Sequence, residues 1–369
     1  MELTGAGILM ECLRREKVEI LFGFPGGALY EIYDELSRTG IRHILVRHEQ
    51  AAVHAADGYA RASGLPGVCL VTSGPGATNT VTGIATAYMD SIPLVVLTGQ
   101  VPTALIGNDA FQEVDIVGIT RPCTKHNFLV KDVKVLALTI RKAFHIARSG
   151  RPGPVLVDLP RDVIRRTAAF VWPEKVELRS YKPNYKPNKP QLQRTVEHIL
   201  KAEKPLLIIG GGLVFGGGGE ELTAMARACA IPVASTFMGL SGFPGNDPLW
   251  LGVIGMHGGV VANKAASESD CILAVGTRFS DRSTSEISKF AANATIIQID
   301  IDPTSIHKNV PVQIPIVADC LEAITALRAL LAAKGGAKDW RLDHAPWLEH
   351  LAKIKADNPL TYGKGKTGG

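Results

Sequence analysis

Gly67-Val68-Cys69-Leu70-Val71-Thr72-Ser73-Gly74-Pro75-Gly76-Ala77-Thr78-Asn79 is the stretch on which the fold turns. An apolar, β-rich run over 67–72 breaks into a glycine turn, and the turn opens a helix. A turn of this kind presents free N–H groups at a helix N-terminus, which suits anions or carbonyl dipoles. Outward from it, further strand candidates lie at 19–24, 42–47, 93–98, 125–130 and 154–159. Helical spacing fills the gaps. Over 131–149, Val133, Leu136, Ile140, Phe144 and Ala147 share one face and Gly150 follows as a stop. Strands alternating with helices of this length predict a mostly parallel sheet covered on both faces.

Residues 171–190 interrupt the alternation. Tyr181-Lys182-Pro183-Asn184-Tyr185-Lys186-Pro187-Asn188-Lys189-Pro190 repeats a Lys-Pro-Asn unit and reads as an extended linker. A second alternating unit follows, with strand candidates at 205–210, 231–236, 271–276, 295–300 and 313–317. The expected organisation is therefore α/β, with two doubly wound, mostly parallel-sheet domains at 1–170 and 191–335. The linker at 171–190 joins them, and a polar, glycine-rich tail at 336–369 follows. Gly365-Lys366-Thr367 in that tail has Leu360 where a phosphate loop needs its first glycine, so a loose tail is expected there.

Composition narrows the classes. Of 369 residues, 46% are hydrophobic and 20% charged, enough apolar side chain to offset chain entropy in two cores. A net charge of +5, not gathered in one block, gives no support to nucleic-acid binding. The six cysteines form no CxxC pair and read as buried thiols of a reducing compartment. No metal-ligand cluster emerges; His43, His48 and His54 come nearest, without an acid or thiol to complete a shell. No apolar run reaches the roughly 18–20 residues of a membrane span. Met1-Glu2-Leu3-Thr4 lacks the regions of a secretory signal, so the expectation is a cytoplasmic protein that starts directly in a helix.

Ligands of open α/β sheets collect beyond the carboxyl ends of the strands. Three loops of the first unit lie there: Phe22-Gly23-Phe24-Pro25-Gly26-Gly27, Arg47-His48-Glu49-Gln50-Ala51-Ala52, and Thr72 to Asn79. Singly each is ordinary, and Glu49 could equally be a first-turn acid that satisfies a helix dipole. Together, in this order and spacing, they resemble the pyrimidine-binding domain of thiamine-diphosphate enzymes. The resemblance makes Glu49 the carboxylate that bonds N1′ of the aminopyrimidine, so that the 4′-nitrogen can take the proton from thiazolium C2.

Downstream, Gly99-Gln100-Val101-Pro102, Asp109 to Asp115, Thr120-Arg121-Pro122, Thr124 to Asn127, Gly150 to Val155 and Asp158-Leu159-Pro160 resemble the acetolactate synthase branch. That branch implies decarboxylation of pyruvate and ligation of the resulting unit to a second 2-oxo acid, in branched-chain amino-acid biosynthesis. Glu49, Gln112 and Gly27 would be catalytic, and Phe111, Arg161 and Pro102 would border the substrate path. Arg161 stands where the family commonly has lysine, and Asn108 is a smaller departure.

In the second unit, the motifs at 210–212, 255–258, 276–282 and 299–303 resemble the central FAD domain of the biosynthetic enzymes. The resemblance assigns FAD to Arg151, Gly211, Gly212, Thr236, Met256, His257, Gly258, Gly276, Arg278, Asp300, Ile301 and Asp319. Ser280 departs from the usual aspartate. The family continues into a third domain, where a Gly-Asp-Gly motif and an asparagine hold magnesium and the diphosphate. No Gly-Asp-Gly occurs in this sequence. The expectation is thus the first two-thirds of such an enzyme, needing thiamine diphosphate, FAD and Mg2+ but inactive alone, with no metal site of its own. Expected partners are pyruvate, a second 2-oxo acid, further copies in a homodimer or tetramer, and a small regulatory subunit. Two alternatives stay open: a non-catalytic flavin-binding derivative, or another thiamine-diphosphate 2-oxo acid decarboxylase.

Overall fold

A computed structural model of the chain describes residues 1–336 and 338–360. The fold divides into two compact units, one from Met1 to Lys182 and one beginning at Pro183. The break falls inside the 171–190 stretch.

The first unit holds eight strands: β1 (Glu2–Thr4), β2 (Ile20–Phe24), β3 (Arg42–Leu45), β4 (Gly67–Val71), β5 (Leu94–Gln100), β6 (His126–Leu129), β7 (Pro154–Pro160) and β8 (Thr167–Ala169). Six form one parallel sheet in the order β3-β2-β4-β5-β7-β6. β4, β5 and β7 are buried at every position, as central strands covered on both faces must be. The helix Leu136–Arg148 lays Leu136, Ile140, Phe144 and Ala147 into the core, on the face their spacing predicts. The helix Glu49–Ser63 packs closely on the sheet, because a Cβ on Gly67 would come within 2.1 Å of the Ala56 carbonyl oxygen.

The N-terminus corrects one expectation. The chain starts in strand β1, antiparallel to β8, and only then enters the helix Gly5–Arg15. Thr4 closes the strand and caps the helix, its Oγ1 accepting from Gly7 N at 3.1 Å.

The second unit contains β9 (Pro205–Ile209), β10 (Val233–Ser235), β11 (Trp250–Val253), β12 (Cys271–Val275), β13 (Thr295–Asp300) and β14 (Ile314–Val317). All are parallel, ordered β11-β10-β9-β12-β13-β14. Numbered within the unit this is 3-2-1-4-5-6, the dinucleotide-binding order, with the switch point between β9 and β12. Both units are therefore doubly wound parallel α/β folds, as the alternation predicts. The helix ahead of β9 begins at Lys189, not beyond the linker. Asn188 caps it by accepting from Gln191 N, and Pro190 sits in its first turn, where a missing N–H costs nothing.

Part of the stretch expected as a polar, glycine-rich tail from 336 onward is instead a helix. Residues Trp340–Asp357 form a helix that buries His344, Trp347, Leu351 and Ile354 on one side. Trp347 Nε1 donates to the Pro205 carbonyl at 3.1 Å, and His344 Nδ1 pairs with the Cys229 carbonyl at 2.9 Å. Burial of that apolar stripe overrides the polar composition around it. The 365–367 triplet lies outside the described residues.

All six cysteines are free thiols, five of them buried. Burial is the main cause that pushes Cys12 and Cys271 up to about 12 and Cys229 to about 11, so these thiols stay protonated and inert.

Candidate functional site

In the first unit the strand order reverses between β2 and β4, and the loops leaving their carboxyl ends meet there. Two glycines allow the approach. A Cβ on Gly26 would lie 2.4 Å from Thr72 Cβ, and one on Gly76 would lie 2.7 Å from Thr72 Cγ2 and 3.2 Å from Glu49 Oε1. Glu49 is the first residue of its helix, where its charge is favoured by the dipole. His48 caps that helix, with Nδ1 accepting from Gln50 N at 3.2 Å. The Glu49 side chain is only 8% exposed, and Asn79 Nδ2 donates to its Oε2 at 2.8 Å. Thr72 Oγ1, against the same glycines, is buried without a hydrogen-bond partner. An unmet hydroxyl next to a half-satisfied buried carboxylate is a polar cradle suited to a flat heterocycle that both donates and accepts.

Gly27 borders open space: nothing lies within 4 Å of where its Cβ would be. Gly74, at φ +58°, touches the Gln112 backbone, and a Cβ there would be 2.6 Å from the Gln112 carbonyl oxygen. The fold thus brings Glu49, Gly27 and Gln112 to one end of the sheet. Phe111 stands 87% exposed beside Gln112. Pro102 precedes a short 3-10 turn, Thr103–Leu105, on the same excursion. Arg161 opens the helix after β7, with its guanidinium 5.8 Å from the Tyr30 ring centre and Nη2 3.4 Å from Glu31 Oε1. Arg165 Nε binds the same Glu31 oxygen at 2.6 Å, so Arg161 shares its partner. Thr72 and Asn79 are the participants that sequence reasoning did not single out, although both stand in the quoted glycine turn.

In the second unit the switch point is built from glycine against glycine. Gly210 N donates to the Val275 carbonyl at 2.9 Å, and Gly212 N to the Gly276 carbonyl at 3.0 Å. A Cβ on Gly210 would fall 2.2 Å from Gly276 O. Gly276 itself, at φ +62°, would press on Leu213 N at 2.4 Å. Side chains at these places would pry the β9 and β12 loops apart. Gly211 opens the short helix Gly211–Phe215, and Thr236 N ties the end of β10 to the Ile209 carbonyl at 2.8 Å. Ser235 Oγ, one residue earlier, is buried without a partner and was not foreseen.

The other residues that the resemblance gives to FAD, Arg151 apart, end or follow strands of the same sheet. Met256, His257 and Gly258 turn after β11; Met256 N donates to the Arg282 carbonyl at 3.0 Å, and a Cβ on Gly258 would strike Val253 O. Arg278 follows β12, and its carbonyl accepts from Asn309 Nδ2 at 3.1 Å. Asp300 ends β13, largely buried, with Oδ1 accepting from Asp302 N at 2.9 Å across Ile301. Asp319 caps the helix Cys320–Lys334, accepting from Glu322 N at 3.1 Å. Arg151 belongs to the first unit, where its Nε donates to Ser91 Oγ at 2.8 Å.

These two crevices define a class. A family model described as the thiamine pyrophosphate enzyme N-terminal TPP binding domain matches residues 3–119, and one for the central domain of the same enzymes matches 192–327. The chain belongs to the thiamine pyrophosphate enzyme family. Within it, the chain is similar to acetolactate synthase large subunits. It is 48% identical to that of Haemophilus influenzae over 366 residues, 98% of this chain and 64% of the relative. It is 49% identical to the isozyme 3 large subunit of Escherichia coli over 364 residues, 98% and 63% of the two chains. With the acetolactate synthase of Mycobacterium bovis the identity is 47% over 363 residues, 98% and 58%. The chain therefore spans less than two thirds of the length of these relatives. Among the described residues, no helix is long and apolar enough to cross a membrane.

Proposed function

We propose that this chain supplies the pyrimidine-binding and central domains of an acetolactate synthase large subunit. The enzyme decarboxylates pyruvate and joins the two-carbon product to a second 2-oxo acid, in cytoplasmic branched-chain amino-acid synthesis. The observation that carries the reading is Glu49: a buried carboxylate at a helix N-terminus, held by Asn79 and flanked by the unmet Thr72 hydroxyl. Thiamine diphosphate, when bound, supplies the electron sink that decarboxylation of a 2-oxo acid requires. Glu49 holds a proton at pyrimidine N1′, and burial keeps water from competing for it. Gly27 leaves room at the ring edge, and Gln112 lines the reacting centre. Phe111, Pro102 and Arg161 border the path by which the oxo acids arrive.

The glycine crevice of the second unit would hold FAD. Gly211, Gly212 and Gly276 would let backbone approach its pyrophosphate, and Asp300 would accept from a ribose hydroxyl. Thr236, Met256, His257, Gly258, Arg278, Ile301 and Asp319 complete the set. Mg2+ and the cofactor diphosphate would be held outside these two domains. The working particle is a homodimer or tetramer, with a small regulatory subunit as a further partner.

The test is reconstitution. The 369-residue chain should consume no pyruvate by itself, and should do so when the remaining segment of a relative such as the Haemophilus influenzae protein is added as a separate polypeptide. Acetolactate formed by the chain unaided, or none formed by a mixture shown to associate, would sink the reading. The flavin half is tested separately. Purified chain should carry or take up FAD, and Asp300→Ala should weaken binding about ten- to hundred-fold, as loss of a hydrogen bond to a charged acceptor does. Colourless protein that ignores added FAD in a titration would contradict it.

A further inference from the structure

The chain leaves β5 at Gln100 and returns at Asp115, where the Asp115 carboxylate caps the next helix by accepting from Gly118 N. The excursion between them carries Phe111 and Gln112, and its own backbone does not favour its shape. Asp109 and Gln112 both adopt left-handed conformations, at φ +54° and +56°, which residues with side chains avoid. An internal clasp exists: Glu113 accepts from Gly107 N and, at 3.0 Å, from Ala110 N. What ties the excursion to the sheet is a second system. The Gln100 side chain grips both of its ends, with Oε1 accepting from Val101 N at 2.8 Å and Nε2 donating to the Val114 carbonyl at 3.0 Å. The other Nε2 proton goes to Asp158 Oδ2 at 2.9 Å, and Asp158 Oδ1 accepts from Thr98 Oγ1 at 2.7 Å. Four residues on, Asp162 grips the outgoing limb of the excursion, accepting from Thr103 N at 2.9 Å and from Thr103 Oγ1 at 2.7 Å.

We propose that Asp158 and Asp162 are positioning residues that hold the Phe111–Gln112 excursion in place, Asp158 through Gln100 and Asp162 through Thr103. The assignment of Gln112 to the reacting centre rests on the function proposed above, but the two staples do not. Asp158 is 1% exposed in the middle of a parallel sheet, where an apolar residue would pack at no desolvation cost. Its oxygens fix which way the Gln100 amide faces, and that orientation is what lets one side chain bind both a donor and an acceptor of the excursion. Asparagine can do the same: its Oδ1 accepts from Gln100 Nε2, and its Nδ2 donates to the Thr98 hydroxyl, which can accept. Alanine cannot.

The test is amide hydrogen exchange on the 369-residue chain, compared segment by segment. Asp158→Ala should speed exchange across 101–115 by about tenfold or more, while the helix Leu136–Arg148 keeps its protection. Asp158→Asn should return the excursion close to wild type. Asp162→Ala, at a partly exposed position that leaves the core intact, should speed exchange around 103–110 even if Asp158→Ala fails to fold. Uniformly faster exchange through the whole first unit in Asp158→Ala, with no rescue by asparagine, would overturn the proposal, as would an unchanged excursion in Asp162→Ala. None of these outcomes depends on catalysis, so a failed reconstitution leaves this inference standing, and the reverse.

Discussion

At the scale of single residues, two buried carboxylates matter most: Glu49, which accepts from Asn79, and Asp158, which accepts from Thr98 and Gln100. Glu49 was legible because its position carries the signal: it stands just past a strand, at the head of an alanine-rich helix, in step with two glycine turns. Its partners were not. Asn79 lies 30 residues away, and the Thr98 and Gln100 side chains on Asp158 lie 60 and 58 residues away. No local pattern links such pairs; parallel strand register does. Asp158 also yields a prediction. Burial, first, and the Asp115 charge raise its pKa from 3.8 to about 7, against the lowering effect of Thr98 and Gln100. A carboxyl with a raised folded pKa contributes stability that is present below its unfolded pKa and is lost as pH rises through the folded one. Relative to Asp158→Asn, the wild-type chain should therefore lose stability between about pH 4 and about pH 7, at up to about 1.4 kcal/mol per pH unit. Urea denaturation of both proteins at several pH values measures this, and a stability difference that stays flat across the range would contradict it.

Among elements, the buried central strands were the clearest, because β4, β9 and β12 are unbroken apolar runs between turns, and β5 and β7 are apolar apart from Thr98 and Gln100 in the one and Asp158 in the other. The elements missed are those whose cause is tertiary. β1 and β8 have three residues each, too few to show alternation, and exist because they pair with one another. β11 has four residues, with Gly252 at φ +96° and a register shift against β10. The helix Trp340–Asp357 has an apolar stripe at 344, 347, 351 and 354, yet Gly335-Gly336 precedes it and Pro346 lies inside it. Local propensity argues against that helix; docking of Trp347 and its neighbours makes it. Trp347→Ala should thus cost the second unit about 3–5 kcal/mol, as removal of a large buried aromatic does. Chemical denaturation followed by circular dichroism reads the loss directly. A cost below about 1 kcal/mol would show that the helix rests on the fold without supporting it.

For the whole molecule, alternation along the chain was enough to predict two doubly wound units. The class of chemistry came from three loops taken jointly, since each alone fits any α/β protein. What the structure adds is that the Glu49 carboxylate is buried and bonded to Asn79, on the same glycine turn as the unmet Thr72 hydroxyl. The account stands or falls on that carboxylate. In the reconstituted assay, Glu49→Gln keeps the shape and the Asn79 contact but cannot share a proton. It should lower pyruvate turnover by about 10²–10⁴-fold at unchanged thermal stability. Turnover by the variant within about twofold of the wild type would contradict the role of Glu49, and with it the reading of the whole chain.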